Sequence, residues 1–400
     1  MIRARRLLLV AIIVLLAAAL REWAARRLPV DFDEPTYFAA AAGYADALRA
    51  GALTGPADHD ASPEHPGLVK LLYAAVLLGQ PAPPDDIGAP LEPLRGAAGP
   101  PLRRASVVFG VAHVLLLAVV SPAAGALLAI HSYTVKYTAQ IYLEALPMFT
   151  ATVCVLSYVA AVRGSRKGRE GSKERQEGSL WRSLPPWRPL REPLLFWTIS
   201  AVALGLTAAG KYVYAVAGLA VAADWLWRVV AERRPGRLLG LAAWGGLALL
   251  VFFAANPVLW AAPLPRLWAS LAFHVGYSQS AYVAQSGYPW YQPFVWLLAP
   301  LPARWHPGII VTPLDTLTAL LGAVGAVPLW RRGGRVVVLW WLIGLVFTLL
   351  WSTKWPQYSL IMTAPMCLCA AEGLRALWAR LVGGKNSTPG RQDARTPGIG

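Results

Sequence analysis

The chain has 400 residues, 56% of them hydrophobic and 14% charged, with 18 Trp and a mean hydropathy of +0.46. A soluble protein of this size cannot cover so much apolar side chain, so most of it must face lipid. The same figures exclude disorder, a collagen-like fibre and a disulfide-built secreted scaffold. The formal charge of +16, from 37 Lys+Arg against 21 Asp+Glu, then signifies cytoplasmic loops lying against anionic headgroups, with no nucleic-acid partner implied. Cys154, Cys367 and Cys369 all fall in apolar runs and read as small buried side chains.

In chain order, Arg3, Arg5 and Arg6 precede an apolar run at 7–20. Ala17, Ala18 and Ala19 would suit a signal-peptide cleavage site, but the many hydrophobic segments that follow favour an uncleaved first span. Further candidate spans lie at 104–120, 121–135, 142–162, 193–209, 211–228, 238–256, 309–329, 336–352 and 358–380, several of them short of the ~20 residues a straight span needs. The expectation is an all-α integral membrane protein of about ten transmembrane helices, one unit over 1–382. A long outer loop at 21–103 carries interfacial helices, and a second outer loop occupies 257–308. A polar cytoplasmic linker at 164–192 and a tail at 383–400 read as disordered.

Charge placement supports this layout. With the N-terminus cytoplasmic, Arg163, Arg166, Lys167, Arg169, Lys173, Arg175, Arg182, Arg188 and Arg191 fall on the same side. So do the groups Arg228–Arg237, Arg331–Arg335 and Arg380–Arg395, as the positive-inside rule requires. Both termini are then cytoplasmic and the long loops face outward, in a multi-pass protein of the cell membrane. No internal repeat is visible.

The outer face collects the unusual polar residues, which near lipid cost several kcal/mol unless paired or wetted. Asp31, Asp33, Glu34, Glu64, His65, Lys136, Gln140, Glu144, Lys211, His274, Lys354 and Gln357 all map there. The first motif is Asp31-Phe-Asp33-Glu34-Pro35-Thr36-Tyr37, with Pro35 suited to a first helical turn. It is either a capping cluster or a fixed carboxylate able to take a proton or hold a metal. Glu64-His65 opens an apolar helix, where a surface pair competes with anion binding by the helix N-terminus. In the run from Lys136 and Tyr137 through Gln140 to Glu144, the last residue stands about one turn into apolar sequence and needs a partner, for which Lys136 and Lys211 are the candidates. Both lysines, like Lys354 in Thr353-Lys354-Trp355-Pro356-Gln357-Tyr358, have a snorkelling alternative.

Taken in order, these elements resemble the membrane glycosyltransferases of the GT-C superfamily. The similarity is greatest to the branch of dolichyl-phosphate-mannose protein mannosyltransferases and lipid A aminoarabinose transferases. The matching runs are Asp33–Tyr37, Glu64–Leu72, Tyr137–Glu144 and Thr353–Tyr358, and the resemblance covers most of 1–380. The chain departs from it in having Pro66-Gly67 where Pro-Pro is usual, and in lacking an added soluble domain.

The resemblance implies transfer of a sugar from a polyprenyl-phosphate donor to a protein, lipid or glycan acceptor at the outer face. It makes Asp33 the catalytic carboxylate with Glu34 beside it. Glu64, His65, Lys136, Tyr137, Gln140, Glu144, Lys211, Lys354 and Gln357 become substrate-contacting candidates. Glu64 and His274 would be ligands of a divalent metal ion, the candidate cofactor. The chemistry asks for a base that takes the acceptor proton as its oxygen attacks C1, and for cations facing the departing phosphate, with inversion at C1. Aromatic residues of 257–308, such as Trp268, Tyr277 and Tyr282, would line a groove or form an interfacial belt. The competing reading is a transporter or flippase of a lipid-linked or anionic solute, which calls for mid-membrane charges and paired broken helices.

Overall fold

A computed structural model describes residues 2–52, 60–80, 96, 98–167, 192–302, 308–310, 312 and 314–383. Every regular element among them is helical. The linker and tail at 168–191 and 384–400 lie outside the described residues; residues 164–167, expected in the linker, still belong to a helix.

In chain order the helices are α1 (Ile2–Arg27), α2 (Glu34–Arg49), α3 (Leu68–Leu78), α4 (Gly99–Val120), α5 (Pro122–Ile130), α6 (Ser132–Tyr137), α7 (Ala145–Lys167) and α8 (Glu192–Gly210). They continue with α9 (Val216–Ala231), α10 (Arg237–Ala254), α11 (Pro263–Ser278), α12 (Ala281–Gln285), α13 (Gln292–Leu298), α14 (Leu314–Arg331), α15 (Arg335–Leu350) and α16 (Thr363–Gly383). Short 3₁₀ turns at Tyr212–Ala215 and Pro356–Met362 lead into α9 and α16.

Six helical stretches are long and apolar enough to cross a membrane: Ala4–Arg27, Gly99–Val120, Ala145–Gly164, Tyr212–Ala231, Arg237–Ala254 and Pro356–Val382. The expected count of ten is therefore not met. The run 121–135 breaks into α5 and α6 because His131 leaves the helical region (φ −65°, ψ 122°) and caps α6 by accepting from Thr134 N–H. The run 309–329 becomes helical only at Leu314, and Pro328 lies inside that helix. The shorter apolar helices are Leu68–Leu78, Leu194–Gly210 and Arg335–Leu350. Several long apolar helices nevertheless make this a multi-pass membrane protein by length and composition.

The spans are not equivalent. Ala145–Gly164 and Pro356–Val382 are each 78% buried and form the centre, whereas Arg237–Ala254 is 17% buried and turns Leu238, Leu239, Leu249 and Leu250 outward. Close approach between α14 and α16 rests on glycine. A Cβ on Gly325 would stand 1.8 Å from the Cys369 carbonyl oxygen, and one on Gly373 would stand 2.3 Å from that of Leu321. Small residues of this kind let apolar helices pack where no hydrophobic force separates protein from lipid. α2 packs on α3, and this pair, with the 138–144 loop, the Lys211 turn and α11, frames the polar cluster.

Candidate functional site

Two of the three acidic residues in the first motif are locked into the fold. The Glu34 carboxylate accepts from Arg103 Nε (2.8 Å) and Nη2 (2.5 Å), from Ile141 N–H (2.8 Å) and from Asp31 N–H (2.8 Å). Arg103 spends its remaining protons on the carbonyls of Ala25, Leu28 and Pro29, the end of α1. Asp31 accepts from Lys136 Nζ at 2.5 Å and Tyr142 OH at 2.7 Å, and Lys136 also donates to the Gly308 carbonyl. These buried carboxylates, each with several donors, join α1, α2, α4 and the 132–142 segment, the arrangement that makes a desolvated ion pair tolerable.

Asp33 is the least buried of the three. It occupies the N-cap position of α2 (φ −86°, ψ −17°) without capping the helix through its side chain, with Pro35 in the first turn, and it is only partly buried. After burial, its charge is the largest influence raising the phenol pKa of Tyr37, Tyr142 and Tyr282, which come from α2, the 138–144 loop and α12. Tyr37, one turn further along α2, stands edge-on to Tyr142 at 5.9 Å between ring centroids, so α2 meets the 138–144 loop there. Tyr277 of α11 feels the Asp33 charge too, its phenol pushed up to about 12 mainly by burial.

Glu64 and His65 border the same place. Lys70, wholly buried, gathers their loop by pairing with Asp60 and donating to the carbonyls of Ser62 and His65, both at 2.8 Å; Tyr44 OH also donates to Asp60 (3.1 Å). Gly67 N–H donates to Asn256 Oδ1 (2.9 Å), and a Cβ there would meet Tyr44 Oη at 2.8 Å. His65 packs at 5.9 Å on Tyr37 and 5.1 Å on His274 between ring centroids. Burial raises the Glu64 pKa above its ordinary value. Burial, with Lys211 next, drops His65 well below 6.5, and burial also lowers His274.

The remaining candidates divide. Glu144 and Lys211 form a buried ion pair, with Lys211 Nζ 5.7 Å from the Tyr358 ring. Lys354 instead closes the end of α15, donating to the carbonyls of Thr348, Leu349 and Trp351. Gln140 Nε2 donates to the Pro29 carbonyl. Tyr137 packs edge-on against Tyr142 at 4.9 Å, and Gln357 is buried in the turn before α16. Tyr282, Trp355, Tyr288 and Trp296 make an aromatic wall beside this turn.

A metal is not well served. His274 Nε2 meets the backbone carbonyl of Glu64 (3.0 Å), which Ser270 Oγ also contacts, and not the Glu64 carboxylate. Among the described residues no group of three or more His, Cys, Asp or Glu is arranged to hold an ion.

Arg103 and Asp60 are the participants that sequence reasoning missed. Arg103 had a signal, a cation at the mouth of an apolar span, which predicts a buried partner. Asp60 had none, because only folding brings it to Lys70 and Tyr44. Comparison of the chain with models of known protein families and with curated proteins finds no match to either.

Proposed function

We propose that this chain is a membrane glycosyltransferase that moves a sugar from a polyprenyl-phosphate donor to a hydroxyl-bearing acceptor at the extracytoplasmic face. The observation that carries the reading is the placement of Asp33. While Asp31 and Glu34 hold the scaffold together, Asp33 is only partly buried, and its charge bears on tyrosines of three segments and on Glu64.

Asp33 accepts the acceptor's proton as that oxygen attacks C1. The C1–O bond to phosphate breaks on the opposite side, and polyprenyl phosphate leaves with inversion. The three lysines among the substrate-contacting candidates, the cations available for the phosphate, each have an internal acceptor: Lys136 has Asp31, Lys211 has Glu144 and Lys354 has three carbonyls. The departing charge therefore falls to neutral donors around Asp33, with Tyr37, Tyr277 and Tyr282 as the candidates. Glu34 serves as the brace that fixes the start of α2. The expected orientation, with both termini and the basic loops cytoplasmic, puts Asp33 outside.

The test uses purified protein in lipid with radiolabelled polyprenyl-phosphate sugars, comparing release of polyprenyl phosphate by the native chain and Asp33→Asn. The reading expects turnover to fall at least ~10²-fold in the variant with donor binding retained. Undiminished turnover would remove Asp33 as the base. Movement of intact donor across the bilayer without cleavage would identify a transporter.

A further inference from the structure

Two carboxylates lie wholly buried within apolar helices, Asp224 of α9 and Glu372 of α16, and each is held by two arginines. Asp224 accepts from Arg228 Nε (2.6 Å), from Arg335 Nε at the start of α15 (2.7 Å) and from Tyr158 OH (2.8 Å). Glu372 accepts from Arg332 Nη1, just past the end of α14, and from Arg375 Nη1 (3.0 Å). The turn between α14 and α15 joins the two sets. Gly333 takes φ +81° there, and the Gly334 N–H closes on the Leu329 carbonyl (2.9 Å), which fixes Arg332 and Arg335 on either side. Across this turn Trp227 makes a T-shaped contact with Trp330 at 6.4 Å, and the Arg335 guanidinium stands 5.0 Å from the Trp227 ring.

The ion pairs occupy one nitrogen of each arginine. No other side-chain hydrogen bond of Arg228, Arg332, Arg335 or Arg375 falls among the described residues. Four guanidiniums against two carboxylates also leave two positive charges unmatched. The Arg332 and Arg375 side chains are 42% and 39% exposed, so these donors are open to a partner. A guanidinium fork meets a phosphate through parallel N–H bonds, and one already anchored by its own ion pair loses little freedom in doing so.

The surroundings decide what carries the phosphate. Trp227, Trp330 and Trp378 are exposed beside the arginines, and Val230, Leu374 and Leu381 also turn outward. Tryptophan and arginine together at the ends of apolar helices mark the level of lipid headgroups. The outward apolar side chains next to them suit acyl chains and offer nothing to a soluble anion.

We propose that Arg228, Arg332, Arg335 and Arg375 form a binding site for the phosphate headgroup of an anionic phospholipid, which braces the neighbouring ends of α9, α14, α15 and α16. The site is independent of the glycosyltransferase reading above.

The experiment titrates the full-length protein in neutral detergent with fluorescent phosphatidylglycerol, with phosphatidylcholine of the same chains, and with glycerol phosphate as a soluble competitor. Phosphatidylglycerol is expected to bind at least ~10-fold more tightly than phosphatidylcholine, the scale of two unmatched basic charges at an anionic headgroup. Arg332→Gln and Arg335→Gln should each weaken phosphatidylglycerol ~5-fold and leave phosphatidylcholine unchanged. Arg234→Gln, at an exposed arginine of the α9–α10 turn outside the cluster, should change neither. Each glutamine variant leaves a buried carboxylate with a single guanidinium. A double Arg332→Lys, Arg335→Lys variant therefore keeps both counter-charges while removing the forks, and should also bind phosphatidylglycerol ~5-fold more weakly.

Equal affinity for the two lipids would overturn the site. An equal loss in Arg234→Gln would overturn it by giving the attraction to surface charge at large. Full affinity in the lysine variant would overturn the role of the guanidinium forks. Displacement of the lipid by glycerol phosphate at equal concentration would make this a site for soluble anions and overturn the phospholipid.

Discussion

Asp33 and Glu34 are adjacent in the chain, yet the fold asks opposite things of them. Glu34 is wholly buried and satisfies Arg103 and two backbone N–H groups, so Glu34→Gln strands a guanidinium among carbonyls. Breaking one side of such a pair costs ~3–5 kcal/mol, and thermal unfolding in detergent should show a large fall in midpoint. Asp33→Asn should leave that midpoint nearly unchanged while abolishing turnover; the reverse pattern would exchange the two roles.

The histidines give a pH test. His65 and His274 have folded pKa values below 6.5, so between that value and the lower folded one the unfolded chain binds more protons. Their contribution is therefore present above about pH 6.5 and is lost as pH falls through the folded pKa. The unfolding midpoint should drop on acidification from pH 7 to 5, and less steeply in a His65→Asn, His274→Asn variant. Glu64 has the opposite sign. Its raised pKa gives stability at low pH that is lost as pH rises through the folded value, so Glu64→Gln should recover midpoint toward neutral pH.

At the scale of elements, the decisive features are ends and crossings. Lys354 donates to three carbonyls at the end of α15, where an uncapped terminus would be buried among aromatic residues. Lys354→Met should cost ~1.5–3 kcal/mol in unfolding measurements, with donor affinity in the folded fraction unchanged. A phosphate-binding lysine would give the contrary result. The α14–α16 crossing is set by Gly325 and Gly373, each directly against a carbonyl of the other helix. Gly325→Leu should separate this pair and lower stability by several kcal/mol, read as loss of a monodisperse folded species on size-exclusion chromatography. Lys70 plays a comparable part in the outer loop, gathering Asp60, Ser62 and His65 so that Glu64 faces α11. Gly67 belongs to the same construction: its N–H reaches Asn256, a bond that a second proline at this position could not make.

For the whole molecule the open quantity is topology. Six stretches have the length to cross, and three shorter apolar helices accompany them. The proposed orientation, with both termini and the basic segments cytoplasmic, needs an even number of crossings with some of the shorter helices among them. In a background with Cys154, Cys367 and Cys369 replaced, a cysteine at Gln285 should react with a membrane-impermeant thiol reagent in intact cells. One at Ser172 should react only after permeabilisation. Labelling of Ser172 from outside, with Gln285 labelled only after permeabilisation, would reverse the orientation and place Asp33 on the cytoplasmic face.

The all-helical membrane class and the clustering of acidic, basic and aromatic residues in a few short motifs follow from composition and hydropathy, because lipid demands long apolar stretches and penalises every charge. Arg103 at the mouth of a span already required a partner. Which carboxylate that partner would be depended on α1, α2 and α4 meeting, and no local pattern separates Asp31, Asp33 and Glu34. The division of Lys136, Lys211 and Lys354 between two ion pairs and one helix end is likewise tertiary, since a lysine's role is fixed by the acceptors that reach its ammonium. The span count diverged for a related reason. Hydropathy averages over the break at His131 and the late start of α14, which are backbone events stabilised by caps and by Asp315 accepting from Ser132 N–H across the fold.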